Sequence, residues 1–146
     1  PLYEFNLAVE RVAAAREAID ASGTGVLLTA RSEGFVVGLP DIDETIRRLG
    51  AFSEAGADCL YAPLIGKEHV SAVVEAVAPK PVNLLINAPF MTVAEAESLG
   101  VRRISVGGTL AKTAWNGLLV AAREISESGT FTSFQGLPDV DGLFGS

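Results

Sequence analysis

Arg31 is the residue of this 146-residue chain with the clearest chemical potential. It directly follows the apolar run Gly25-Val26-Leu27-Leu28-Thr29-Ala30, so its guanidinium stands at the mouth of a segment built for burial. In a partly dry site such a group grips a carboxylate through two parallel hydrogen bonds, a geometry that lysine cannot reproduce. Glu33 lies two residues on, and the sequence leaves open whether Arg31 clamps a ligand or pairs with that loop acid. Glu33 in turn is either a wall of the site or a solvated acid. Asn87 closes another apolar run just before Ala88-Pro89, where its amide can orient a ligand oxygen or bond its own turn. Gly107-Gly108 opens onto a helical pattern; bare amides there suit an anion, while glycine also permits close packing of strand and helix.

Other reactive types carry weaker signals. His69, the only histidine, falls beside Lys67 and Glu68 in the first turn of a helix, away from the strand ends, and reads as a solvated residue rather than a general base. Trp115 shares helical spacing with Leu118 and Leu119 and reads as core or subunit contact. The His, Cys, Asp and Glu residues show no metal-ligand spacing, so no metal site is assigned to them. Cys59 is the sole cysteine and sits within the apolar Cys59-Leu60-Tyr61-Ala62, which excludes an intrachain disulfide and fits a reducing cytoplasm.

Charge narrows the partners. A net charge of −7 with no cluster of Lys and Arg argues against nucleic acid. No segment approaches the roughly 20 apolar residues of a membrane span. The N-terminus shows no basic, signal-like region, and the missing initiator Met suggests a chain that begins inside something longer.

The elements that must hold these residues alternate between β-branched runs and helical periodicity, the signature of parallel βαβ construction. Helices are expected over about Asn6–Ala21, from Asp41 to Gly56, over Lys67–Val77, from Thr92 to Gly100, and over Leu110–Ser126. Strands are expected at Gly25–Ala30, Cys59–Ala62, Pro81–Ile86 and Arg103–Val106. Asp41 with Glu44, and Thr92 with Glu95, have the spacing of a capping box. The strands are apolar at nearly every position, which implies helices over both faces. Residues 131–146 form a Gly-rich tail with an expected turn of helix near Pro138. Reactive residues in such folds gather where the strands end, which is where Arg31, Asn87 and Gly107 fall.

Three runs together resemble a known family: Leu28-Thr29-Ala30-Arg31-Ser32-Glu33-Gly34-Phe35, Pro40-Asp41-Ile42-Asp43-Glu44-Thr45-Ile46-Arg47-Arg48, and Glu54-Ala55-Gly56-Ala57-Asp58-Cys59-Leu60-Tyr61-Ala62-Pro63. Pro81-Val82-Asn83, Leu99-Gly100-Val101-Arg102-Arg103-Ile104-Ser105-Val106-Gly107-Gly108 and Glu127-Ser128-Gly129-Thr130-Phe131 continue the series. It is similar to the second half of the phosphoenolpyruvate mutase and isocitrate lyase superfamily. The resemblance implies an α/β fold, a (β/α)8 TIM barrel of which residues 1–146 supply the last four strand–helix units as half of a single domain. A complete barrel needs roughly 250 residues.

The resemblance further implies a Mg²⁺-dependent lyase or mutase that makes or breaks a C–C or P–C bond beside the enolate of a small 2-oxo acid. In that reading Arg31 holds substrate carboxylate, with Glu33, Asn87, Gly107 and Gly108 as further substrate-binding candidates. The Mg²⁺ ligands, the catalytic base and the family's Lys-Cys-Gly-His loop have no counterpart here and are expected in the first half, so this chain alone should be inert. Two departures stand out: the family's Arg-Thr-Asp reads Arg31-Ser32-Glu33, and the glutamate that many lyases carry after the sixth strand is replaced by Ala62-Pro63. Alternatives are a phosphate-binding barrel isomerase or aldolase using Gly107-Gly108, and a non-catalytic half-barrel that only associates. The expected partners are a small carboxylic acid and either the missing N-terminal half or further copies of the chain as a homo-oligomer.

Overall fold

The computed structural model describes residues 2–143, which divide between Gly107 and Gly108 into two compact units. The first holds α1 (Phe5–Ser22), β1 (Thr29–Arg31), α2 (Ile42–Glu54), β2 (Cys59–Tyr61), α3 (Val70–Ala76), β3 (Val82–Leu85), α4 (Val93–Ser98) and β4 (Arg103–Ser105). A 3-10 turn over Lys67–His69 leads into α3, so the helix expected over 67–77 forms in two parts. All strand pairs are parallel, in the order β1-β2-β3-β4. Helix types and order agree with the periodicity; the strands are shorter than expected, most of all the first. Val26 and Leu27 stay exposed outside β1.

Local chemistry sets the helix starts. Asp41 caps α2 by accepting the Glu44 N–H at 2.9 Å. The reciprocal arm of the expected box is absent, because the Glu44 carboxylate binds Arg47 Nε at 2.6 Å and Arg48 Nε at 2.7 Å instead. These guanidinium hydrogen bonds hold Glu44 below the usual carboxylate range. Before α4 both arms form: Thr92 Oγ1 accepts the Glu95 N–H at 3.2 Å, and Glu95 Oε2 accepts the Thr92 N–H at 2.7 Å.

Sequential strand order decides how the sheet faces are used. When every crossover steps to the next strand in the same sense, the helices all fall on one side, as in a singly wound barrel; a doubly wound sheet reverses direction to cover both. Side chains alternate along each strand. Ala30, Leu60, Val82 and Leu84 belong to the core together with Leu49, Phe52, Val70 and Val73 from α2 and α3. The opposite face carries Thr29 and Arg31, Cys59 and Tyr61, Asn83, then Arg103 and Ser105, as the strand register requires. This corrects the expectation of helices over both faces. Runs such as Thr29-Ala30-Arg31 and Arg103-Ile104-Ser105 have a polar beat that their apolar neighbours obscure.

The second unit holds α5 (Thr109–Ser128), which ends at Gly129 in the left-handed conformation with φ 63°. Beyond it the Glu124 carboxylate accepts the hydroxyls of Thr130, Thr132 and Ser133 and the N–H groups of Thr132 and Ser133. These hydrogen bonds hold its pKa far below the ordinary carboxylate value. Turns of 3-10 helix occupy Thr132–Phe134 and Asp141–Leu143, to either side of the turn expected near Pro138. Residues 144–146 of the tail lie outside the described residues. Trp115 and Leu118 are exposed on α5.

Candidate functional site

Arg31 is the last residue of β1 and points from the helix-free face. Its Nε lies 2.7 Å from Glu33 Oε1 and its Nη2 3.2 Å from Glu33 Oε2, so Glu33 occupies one edge of the guanidinium fork. The guanidinium also lies 5.0 Å from the centroid of the Tyr61 ring on β2, a cation–π distance. The pairing that the sequence left open is thus present, yet Arg31 offers five N–H donors in two usable edges. Nη1 makes no hydrogen bond among the described residues, which leaves the end-on edge available, and the side chain is half exposed. Glu33 orients Arg31, and Tyr61 supports it from below.

Asn87 lies two residues beyond β3 and is exposed. Its amide makes no hydrogen bond to its own turn among the described residues; the turn is instead closed by the Phe90 N–H to the Ala88 carbonyl at 2.9 Å. Asn87 lines a cavity of about 400 Å³ between the segments that follow β2 and β3. Gly107 has φ 53°, a left-handed backbone that explains the glycine, and a Cβ there would meet only Leu85 Cδ1 at 3.7 Å. Gly108, the N-cap of α5, has nothing within 4 Å of a would-be Cβ. Neither would-be Cβ meets a neighbour closer than ordinary van der Waals contact among the described residues.

His69 is placed differently from expectation. Its ring lies 5.9 Å from that of Phe35, which belongs to the segment just after β1. The single histidine therefore sits on the strand-end side, partly shielded, because the 3-10 turn over 67–69 follows β2 directly. Spacing within its own helix carried no hint of this contact across the strand ends.

Sequence reasoning missed a polar relay on the helix-free face. Asn83 is wholly buried. Its amide donates to Ser105 Oγ at 2.9 Å and its carbonyl accepts from Arg103 Nη1 at 2.9 Å. Asn83, Arg103 and Ser105 lie on two paired strands, and the polar alternation of Arg103-Ile104-Ser105 was the available signal. Beside them Cys59 is buried, and that burial pushes its thiol up. Among the described residues no three His, Cys, Asp or Glu side chains converge to hold a metal ion. No helix among them is long and apolar enough to cross a membrane.

Known proteins share this fold. A structure from Burkholderia cenocepacia J2315, whose lyase/mutase assignment is itself provisional, is 41% identical with TM-score 0.93, covering all of this chain and 54% of that one. Oxaloacetate acetylhydrolase in complex with oxalate is 25% identical with TM-score 0.80, covering 98% of this chain and 48% of that one. A phosphonopyruvate hydrolase solved with oxalate and Mg²⁺ has the same fold, at 22% identity and TM-score 0.75 over 98% of this chain and 52% of its own. An uncharacterized protein of Mycobacterium tuberculosis H37Rv is 33% identical over 87 residues, which cover 60% of this chain and 33% of that protein. The chain thus spans about half the length of these solved relatives. Residues 1–126 match the family model for phosphoenolpyruvate phosphomutase, and the chain belongs to that family.

Proposed function

We propose that these residues serve, within a complete barrel, an enzyme of lyase or mutase type that breaks or forms a C–C or P–C bond beside the enolate of a small 2-oxo acid. Arg31 would hold the substrate carboxylate through its end-on edge while Glu33 keeps the guanidinium in place. The observation that carries this reading is the half-exposed Arg31 at the tip of β1, already oriented by Glu33 and Tyr61 but with Nη1 uncommitted. A preset fork loses little conformational freedom on binding. Oxalate, a planar mimic of a 2-oxo acid enolate, is bound by two of the relatives.

Asn87, Gly107 and Gly108 are the further substrate contacts of this proposal. A divalent cation, as in the Mg²⁺-bound relative, would stabilise charge on the enolate oxygen. Its ligands and the catalytic base would come from polypeptide beyond the described residues. The helix-free face, with its buried Asn83 relay, would form the interior of a single barrel once four more strands close it, supplied by the same polypeptide.

The test is calorimetric titration of oxalate, with and without Mg²⁺, into the full-length protein that contains this chain and into its Arg31→Ala variant. Loss of a charge-assisted pair, about 1.5–3 kcal/mol, predicts roughly 10- to 100-fold weaker binding. Unchanged oxalate affinity in the variant removes Arg31 from the mechanism.

A further inference from the structure

Leu64 follows β2 by three residues and has φ 65°. Every other residue with positive φ among those described is glycine. A bulky side chain in the left-handed region is an outlier that the surroundings must hold in place, and such outliers concentrate where ligands are clamped. Burial does not explain it, since Leu64 remains 49% exposed. Glycine would fit this backbone more comfortably.

The cavity beside it is the one that Asn87 lines. Leu64, Ile65, Leu85 and Phe90 give it an apolar wall, and its volume of about 400 Å³ is that of a small-ligand pocket. Among the described residues its charged rim offers no free cation: Lys67 Nζ lies 2.7 Å from Glu95 Oε1, and Glu68 adds a negative charge. A carboxylate entering here would meet no counter-charge. An alkyl group would meet four apolar side chains. Tyr61, which supports the Arg31 guanidinium, is only three residues upstream, so clamp and cavity are fed by the tips of paired strands.

We propose that this cavity receives the alkyl substituent of the substrate acid and that Leu64 is a specificity-determining residue that sets its size. The proposal rests on the carboxylate reading of Arg31 and narrows it to monocarboxylic 2-oxo acids with an aliphatic tail. A substrate with a second carboxylate at this position is disfavoured.

The test measures binding of pyruvate, 2-oxobutanoate, 2-oxopentanoate and 2-oxoglutarate, by NMR titration in Mg²⁺ buffer, to the full-length protein that contains this chain. Each added methylene should tighten binding about fourfold, and 2-oxoglutarate should gain nothing over pyruvate. Leu64→Gly should flatten the alkyl series to less than about twofold per methylene while its thermal midpoint holds or rises, because glycine relaxes the left-handed backbone. Leu64→Asn, which tolerates that backbone, should flatten it too. A flat series in the wild type, an undiminished series in Leu64→Gly, or a midpoint lowered by several degrees in that variant overturns the subsite and leaves the Arg31 clamp standing. If none of the four acids binds, the carboxylate reading falls and the subsite with it.

Discussion

Replacing Asn83 by Ala is the sharpest probe of how the helix-free face is organised. Two bonds of 2.9 Å are lost, one a neutral bond to Ser105 and one a charged bond from Arg103. Net contributions of about 0.5–1.5 and 1.5–3 kcal/mol are usual for the two kinds. Arg103 is exposed and Ser105 half-buried, so water can take over part of both bonds, and the expected loss is about 2 kcal/mol. With a urea m-value of about 1–3 kcal/mol/M, the unfolding midpoint should fall by about 1 M, read by circular dichroism at 222 nm. Asn83→Asp should keep most of the stability at neutral pH, because it still accepts from Arg103 while the Ser105 hydroxyl turns to donate. A cycle of Asn83→Ala with Arg103→Ala should show coupling above about 0.5 kcal/mol, the limit within which independent sites add. A loss below that limit in Asn83→Ala, or strict additivity in the cycle, would refute the idea that Asn83 organises its neighbours.

Two further outcomes follow from local geometry. Gly56 has φ 99°, and a Cβ there would stand 2.6 Å from Arg16 Cγ, on a side chain pinned by Asp58 at 2.8 Å. Gly56→Ala should therefore cost about 2–4 kcal/mol, visible as a lowered thermal midpoint; a neutral effect would mean that Arg16 yields freely. Glu95 is lowered from 4.5 to about 2, first by its hydrogen bond with Lys67 and then by those from Thr92. Its contribution to stability is complete above pH 4.5 and disappears as pH falls through about 2, so the acid transition of the wild type should shift in Glu95→Gln, with the two proteins converging at the lowest pH. A constant offset between the proteins across that window would contradict it.

Much of this architecture was legible because local rules suffice for it. The Thr92–Glu95 box and the alternation of strand and helix depend on neighbours within a turn or two. Arg31 and Asn87 were placed at strand ends for the same reason. The Asp41–Glu44 box failed in its second arm because Arg47 and Arg48 compete for Glu44 more strongly than a neutral N–H does.

What the residues determined by themselves is the order and type of the elements, since periodicity and capping are properties of contiguous sequence. Only the tertiary structure decided which strand face meets helices, that His69 reaches Phe35, that Asn83 bridges Arg103 and Ser105, and that Leu64 adopts a left-handed backbone. These features arise from register between strands distant in sequence and from loops constrained at both ends. The energy that sets them belongs to pairs that no local window contains.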